Sequence, residues 1–433
     1  MIPYDLPPAF MVVFLFLYGA VIGSFLTVCV HRFPPHETVF GAWRSLISPL
    51  SSYCDRCRTT LPAKDNVPIF GWLWLRGRCR FCKRGIPGKY PLIELANGLL
   101  FVLVYFLEVP QGRFPPLTDS CLSISVGSLK FTDLAGPMSI AAVNWRVVYH
   151  LVLIEALIVA SLIDWDFMII PDSVTLPPMV LALIGAVLFG NFWLVPVWTQ
   201  DPVHWKSLVA FVTGEWPKGG TTSPVPDWIL HDPRWHALSV SLVGWLVGGG
   251  MIWVIRLVGR AALKREAMGF GDVVLMAMVG AFLGWQPTVI AILIAAILSV
   301  VLVLATRLFA WNREIPFGPF LSLGTLITLL GWKWIWIRFE PLFSNPVFLG
   351  ASALFLPVGM FVLLLLVRAI RRLLGFPPDD DQFGDGEWTS ADHLFHFSGE
   401  TVDRQQGQWR RDSWPGESSG RGQSNWEQWR RPR

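Results

Sequence analysis

The chain has 433 residues, of which 53% are hydrophobic and only 15% are charged, and its formal net charge is +4. Its mean hydropathy is +0.49. This composition excludes an ordinary soluble globular protein and indicates an integral membrane protein.

Nine apolar runs are candidates for membrane-spanning helices, each of which needs about 20 mostly apolar residues. They cover residues 9–30, 91–107, 147–163, 174–198, 237–258, 273–285, 286–306, 316–337 and 347–367. The run at 273–285 is short and adjoins the next one, so we expect eight or nine spans. The first run follows no basic segment, and we expect it to remain in the mature protein rather than be cleaved as a signal peptide. The sequence therefore predicts an all-α, polytopic membrane protein.

The loop between the first two runs, residues 32–90, fixes the predicted orientation. It carries eleven Lys and Arg residues against three acidic ones. Because cytoplasmic loops are enriched in Lys and Arg, this loop should be cytoplasmic. Alternation then places 164–172, 259–272 and 307–315 on the cytoplasmic side as well. Residues 109–146, 199–236 and 338–346 should be extracytoplasmic.

The cytoplasmic loop also contains four of the six cysteines of the chain, in two C-x2-C pairs: Cys54 with Cys57, and Cys79 with Cys82. Paired knuckles of this kind are typical of a tetrathiolate zinc site. Two disulfides are the alternative, which a reducing cytoplasm disfavours. Four thiolates leave no open coordination position, so we expect a structural zinc that staples the loop.

Two aspartates, Asp164 and Asp272, lie where apolar runs meet the predicted cytoplasmic face. A carboxylate close to hydrocarbon is costly, which makes such a group a candidate functional residue. Two of them on one face suggest an aspartyl dyad, in which one group keeps a proton. Gly269 and Gly271 precede Asp272, and the absence of side chains there should let an extended substrate backbone approach it. Asp166 should be solvated surface.

Six ordered motifs between about residues 17 and 325 carry a family resemblance. They are residues 23–34 (GSFLTVCVHRFP), the four-cysteine loop with DNVPI at 65–69 between its halves, residues 89–95 (KYPLIEL), LID at 162–164 with IPD at 170–172, GFGD at 269–272, and IPFGPF at 315–320. In this order they resemble the bacterial type IV prepilin peptidase family of GxGD-type membrane aspartic peptidases.

The resemblance implies an inner-membrane endopeptidase whose catalytic aspartates match Asp164 and Asp272. Its substrates would be prepilin or pseudopilin precursors with a short basic leader, cut after a glycine at the cytoplasmic face. It also implies a possible second activity, methylation of the new N-terminus with S-adenosylmethionine, although no Rossmann-type glycine fingerprint supports this from the residues themselves. The chain departs from the family at Thr27, where Asn is usual, and at Val274, where Lys is common.

The predicted organisation has five parts: the N-terminal span, cysteine loop and second span at 1–108; an extracytoplasmic connector at 109–146; a peptidase core at 147–340 with an insertion near 199–236; an extra span at 341–375; and a tail at 376–433. The tail has few aliphatic residues and should be disordered.

Other functions remain open from the residues alone. The basic cysteine loop should lie on anionic membrane lipid, and nucleic-acid binding is not expected. A non-catalytic membrane scaffold of the same fold is one alternative function. A proton-coupled transporter is another, but it predicts acids at span centres, where Glu155 alone is found.

Overall fold

The computed structural model describes most of the chain between residues 8 and 373 and two short strands beyond it. The described residues are 8–36, 38–47, 52–54, 57, 59–109, 125–126, 129–130, 140–190, 192–197, 210, 233–263, 268–308, 316–373, 401–403 and 408–410. The predicted insertion at 199–236 and the predicted connector lie mostly outside these residues. So does most of the tail, which includes the paired strands at 401–403 and 408–410.

The described residues form twelve α-helices and two small antiparallel hairpins. The helices are α1 (Pro8–Arg32), α2 (Val39–Ile47), α3 (Phe70–Trp74), α4 (Lys89–Glu108), α5 (Ile140–Phe167), α6 (Asp172–Phe189), α7 (Pro233–Leu263), α8 (Phe270–Leu283), α9 (Trp285–Leu308), α10 (Gly318–Leu330), α11 (Trp332–Phe343) and α12 (Pro346–Leu373). The strands are β1 (Ser125–Val126), β2 (Leu129–Lys130), β3 (Thr401–Asp403) and β4 (Gln408–Arg410).

Seven of these helices are long and apolar enough to cross a membrane, and the number is eight if α10 and α11 together form one span. Helix α8 is apolar but has only 14 residues. At 1.5 Å per residue it is shorter than the hydrocarbon core of a bilayer. The prediction of an all-α, polytopic membrane protein is confirmed.

Two predicted spans differ in the structure. The run at 316–337 is not one helix, because the chain bends by 95° at Gly331, between α10 and α11. Trp332 and Trp336 of α11 are almost fully buried and stack on each other, which turns α11 inward. The run at 174–198 is helical only to Phe189, where Gly190 adopts a left-handed conformation with φ of 72°. Such a residue ends a helix at little cost when it is glycine.

Helix α8 lies at the centre of the helix bundle, and every residue from Asp272 to Leu283 except Val274 is buried. Its closest neighbour is α7, and the two backbones meet at Gly244 and Gly280. A Cβ atom on Gly244 would collide with the carbonyl oxygen of Gly280, and a Cβ on Gly280 with that of Gly244. Small residues allow this close approach between membrane helices. The contact fixes the position of α8 and therefore of Asp272 at its start.

The N-terminal part of the chain is built on the antiparallel pair α1 and α4. The side-chain amide of Asn97 donates to the Gly19 carbonyl at 2.9 Å, and Gly19 and Gly23 both lie against α4. At the C-terminal end of α1, the Arg32 guanidinium donates to the Ser45 carbonyl at 2.7 Å and so holds the C-terminal end of α2. Helix α2 is thereby tied to the end of α1.

Ionisable side chains are buried where α4 ends and α5 begins. His150 Nδ1 lies 2.6 Å from Glu108 Oε1, and Arg146 Nε lies 3.9 Å from Glu108 Oε2. Charges that are removed from water must be paired, because an isolated one is strongly destabilising. This cluster ties α4 to α5 at the end of α5 opposite Asp164.

We expect Gly244→Ala to destabilise the protein and Gly250→Ala to leave it as stable as the wild type or more stable. Both glycines lie inside α7, so each substitution gains about 1 kcal/mol of helix propensity. A Cβ on Gly250 meets nothing within 4 Å, whereas one on Gly244 meets backbone of α8 that cannot move aside. The collision should cost about 1–3 kcal/mol.

Thermal unfolding of the two variants in detergent, followed by circular dichroism, measures the difference. Equal melting temperatures would show that α7 and α8 do not pack through Gly244.

Candidate active site and four-cysteine cluster

Asp164 lies in the last turns of α5 and is 6% exposed. The backbone amide of Gly318, the first residue of α10, donates to Asp164 Oδ2 at 3.0 Å. A hydrogen bond to a carboxylate is stronger than a neutral one, and the N-terminal end of a helix attracts negative charge. The geometry therefore gives the buried Asp164 carboxylate a donor from another helix, 154 residues away in sequence.

Asp272 lies in the first turn of α8 and is 7% exposed. It is close enough to Asp164 for the two charges to interact. Because like charges in a nearly water-free setting cannot both form cheaply, ionisation of one aspartate opposes ionisation of the other. The structure thus brings together the two aspartates that the sequence singled out.

The segment between α5 and α6 lies against two glycines that adjoin this pair, Gly271 and Gly318. Met168 has a φ of 57°, and its amide donates to the Asp164 carbonyl at 2.8 Å. The turn directs Ile170 toward the glycines of the site. A Cβ on Gly271 would lie 2.9 Å from Ile170 Cβ, and a Cβ on Gly318 would lie 3.1 Å from Ile170 Cδ1.

The two glycines before Asp272 have different surroundings. Gly271 lies against Ile170, so its missing side chain makes room for the α5–α6 segment. A Cβ on Gly269 would lie no closer than 3.9 Å to any atom of the described residues, so none of them crowds this position. Among the described residues, Gly269 is thus the less enclosed of the two glycines.

Arg256 of α7 holds the segment that leads into Asp272. Its Nε donates to the Met268 carbonyl at 3.1 Å, and its guanidinium lies 5.8 Å from the centre of the Phe270 ring. The arginine thus fixes the backbone just before Gly269. Sequence reasoning did not identify Arg256, because the contact depends on how α7 packs.

The neighbouring acids take no part in this pair. Asp166 is exposed and forms an ion pair with Lys89 Nζ at 3.1 Å. Asp172 is exposed and is the first residue of α6, whose N-cap is Pro171. Glu155, nine residues before Asp164, lies on the other face of α5, where its carboxyl group is enclosed beside Asn97.

The cysteines Cys54, Cys57, Cys79 and Cys82 form a second cluster. Their sulfur atoms all lie within 4.8 Å of one another, and the Cys54 and Cys82 sulfurs are 3.9 Å apart. Four thiolates at about 2.3 Å from a tetrahedral zinc ion would be about 3.8 Å apart. The cluster therefore has the dimensions of a tetrathiolate metal site without an open position.

The local structure of this loop supports thiolate formation. Each pair sits in a tight turn: the Cys54 amide donates to the Thr59 carbonyl, and the Cys79 amide to the Arg84 carbonyl. Hydrogen bonds from the Thr59 side chain and backbone lower the pKa of the Cys57 thiol to about 6. Metal binding needs the deprotonated form, so this shift favours it.

An ion pair between buried Asp65 and partly exposed Arg80 ties the second cysteine pair to the segment between the two pairs. Arg80 donates to both carboxylate oxygens of Asp65, at 2.6 and 2.7 Å. These bonds lower the pKa of Asp65 and raise that of Arg80. Glu94 of α4 adds a further link by accepting from the Ile69 amide at 2.6 Å.

Comparisons with known proteins identify two matching regions. Residues 17–107 match the model of the bacterial peptidase A24 N-terminal domain, and residues 229–304 match that of the type IV leader peptidase family. The first range contains the four cysteines and the second contains Asp272, while Asp164 falls between them. No solved structure shows significant similarity to the chain.

Curated relatives resemble the chain over most of their length. A prepilin leader peptidase/N-methyltransferase of Klebsiella pneumoniae is 30% identical over 284 residues, which are 65% of this chain and 90% of that protein. A protein of the same name from Aeromonas hydrophila is 29% identical over 73% of this chain and 89% of its own length. A type 4 prepilin-like proteins leader peptide-processing enzyme of Escherichia coli is 28% identical over 74% and 94%.

Proposed function

The chain belongs to the type IV leader peptidase family, and we propose that Asp164 and Asp272 are the catalytic pair with which it cleaves the leader from type IV prepilin-like precursors. Cleavage of such leaders is the activity that its curated relatives are named for. The observation that carries the assignment of the pair is the meeting of two nearly buried carboxyl groups, from α5 and α8, whose charges interact.

In the proposed mechanism, the ionised member of the pair takes a proton from a water molecule, whose oxygen attacks the scissile carbonyl carbon. The protonated member donates its proton to the carbonyl oxygen. Collapse of the tetrahedral intermediate breaks the C–N bond: the leaving amine takes up a proton from the pair, and a hydroxyl proton of the intermediate returns to the pair and restores its starting state. The net reaction adds one water molecule and yields a leader carboxylate and a new N-terminal amine.

The hydrogen bond from Gly318 supports an assignment of the two roles. A donor to a carboxylate favours its ionised form, and the Gly318 amide donates to Asp164. We therefore assign the role of general base to Asp164 and that of general acid to Asp272. Neither role could be assigned from the sequence.

We propose that the protein lies in the bacterial inner membrane with this site at the cytoplasmic face. The ion pair of Lys89 with Asp166 links the basic cysteine loop to the same end of α5 that carries Asp164. Arg32 at the end of α1 and Arg260 at the end of α7 lie at the ends facing that loop and that site, as cytoplasmic cations should. A short basic leader would be held there, with the apolar segment after the cut in the bilayer and a glycine before it.

For the cysteine loop we propose a structural zinc ion held by Cys54, Cys57, Cys79 and Cys82. Exposed aromatic side chains on this part of the chain, among them Phe40, Phe70 and Trp74, fit contact with membrane lipid. Aromatic rings and basic residues both favour the membrane surface. Nucleic acid is not expected to bind.

A second activity, methylation of the new N-terminal amine, is proposed from the names of the relatives. The donor would be S-adenosylmethionine, which supplies the methyl group. Among the described residues no glycine-rich loop joins a strand to a helix, so no residue is assigned to hold it.

We expect Asp164→Asn and Asp272→Asn each to lower cleavage by about 10²-fold or more, because each removes one partner of the proton transfer. Asp172→Asn is the matched control, since Asp172 is exposed and lies outside the pair. The measurement is mass spectrometry of the N-terminus of a co-expressed pilin-like precursor in membranes, with the inserted amount of each variant checked by immunoblot.

A one-methyl mass increment on the wild-type product would also reveal methylation. Cleavage that survives either Asn substitution would contradict the proposed pair, and unchanged pilus assembly by an inactive variant would favour a scaffold instead.

Gly318→Ala should also abolish most cleavage. A Cβ there would lie 2.5 Å from Asp164 Oδ2, so either the carboxylate or the start of α10 must move. Misplacement of a catalytic group by about 1 Å can cost about 10²-fold in rate. Gly350→Ala in α12, where a Cβ meets nothing within 4 Å, serves as the control. The same assay applies, and full activity of Gly318→Ala would rule out tight packing of α10 on Asp164.

We expect the purified protein to contain one zinc ion per chain and Cys79→Ser to lose it. Metal analysis by mass spectrometry gives the ratio, and Cys29→Ala is the control because Cys29 lies in α1, away from the cluster. Absence of zinc from the wild type, together with disulfide-linked peptides in a digest made without reductant, would show that the four cysteines form two disulfides and not a metal site.

A further inference from the structure

The α5–α6 segment Met168–Pro171 is a firm element of the site rather than a loose connection. Met168 holds a positive φ, which is costly for a residue with a side chain and persists only where its surroundings impose it. Ile170 precedes Pro171, which confines Ile170 to extended conformations. Ile170 is also β-branched and therefore stiff at χ1. The segment presents its isoleucine in a fixed position.

Ile170 fills the space beside both glycines that face the catalytic pair. Its Cβ lies against Gly271, one residue before Asp272, and its Cδ1 lies against Gly318, whose amide holds Asp164. Any larger residue at either glycine would collide with it. Ile170 is therefore the side chain that occupies the space next to Gly271 and Gly318, and we call this side of the site the Ile170 wall.

A scissile peptide bond must come within reach of both carboxyl groups. A peptide bond in that position lies next to the Ile170 wall. The segment joins the ends of α5 and α6, and under the orientation proposed above it bounds the site on the cytoplasmic side. The substrate residue before the cut belongs to the leader and approaches from that side. The residue after the cut starts the apolar segment and points the other way.

We propose that Ile170 is a specificity-determining residue that limits the size of the substrate side chain immediately before the scissile bond. The inference rests on the proposed function, because it needs the cut to occur between Asp164 and Asp272. Only a residue with little or no side chain could place its carbonyl carbon at the pair while Ile170 keeps its position. At Gly269, by contrast, no atom of the described residues would come closer than 3.9 Å to an added Cβ.

The test compares three precursors that carry Gly, Ala or Ser before the cut, assayed with membranes containing the full chain. Ile170→Ala should raise the ratio of the cleavage rate of the Ala precursor to that of the Gly precursor by about tenfold or more. This is the discrimination that a difference of one methyl group in a pocket typically produces. Ile170→Val, which removes only Cδ1, should raise it less. Ile169→Ala changes the neighbouring residue of the segment and should leave the ratio at the wild-type value.

An unchanged ratio in Ile170→Ala, with the Gly precursor still cleaved, would overturn the proposal and leave the proposed function intact. Loss of activity on all three precursors in both Ile170 variants would also overturn it, since Ile170 would then hold the site together rather than select the substrate. Failure of the wild type to cleave the Gly precursor would count against the proposed function itself.

Discussion

The site depends on holding two carboxyl groups together where little water reaches them. Burial opposes the ionised form of each, and their mutual repulsion opposes the ionisation of both. The structure offsets part of this cost with helix ends: Asp272 lies in the first turn of α8, and the Gly318 amide at the start of α10 donates to Asp164. One negative charge and one proton on the pair is the state that the proposed acid–base hydrolysis requires.

The close packing of α7 on α8 is what makes this arrangement rigid. Helix α8 is too short to span a bilayer by itself and is enclosed by its neighbours, so its depth is set by contacts rather than by hydrophobic length. Where Gly244 meets Gly280, backbone rests on backbone, and neither can shift by rotation of a side chain. The position of Asp272 is thereby fixed from the opposite end of its helix.

The N-terminal part of the chain reaches the site through two contacts on either side of Ile170. Lys89 pairs with Asp166 four residues before it, and the Trp43 indole of α2 donates to the Ser173 carbonyl at 3.0 Å three residues after it. A loop stapled at its cysteines would keep α2 and the start of α4 in register with the segment that contains Ile170. Under the proposed function, the cysteine cluster would then act on catalysis by positioning this segment.

Sequence reasoning found the features that depend on local signals. Apolar run length predicts most spans, and the C-x2-C pairs predict the cysteine cluster, because neighbouring residues are enough to define both. The Gly318 donor could not be predicted, since it joins residues 154 positions apart and depends on how α10 packs on α5. The bend at Gly331 could not be predicted for a similar reason. The sequence stays apolar on both sides of Gly331, and the burial of Trp332 that accompanies the bend is a tertiary contact.

The two glycines of the GFGD motif illustrate why a motif does not specify its own mechanism. From the sequence, both were given the same role, that of letting a substrate backbone approach Asp272. In the structure, the space that a side chain on Gly271 would need is taken by Ile170, whereas no described residue crowds Gly269. One glycine therefore accommodates the protein's own chain, and under the proposed function the other would admit the substrate chain. A Cβ at position 271 would collide with Ile170, whereas a Cβ at position 269 would narrow the approach to Asp272. The two glycines of the motif therefore meet two separate steric demands on the same short turn.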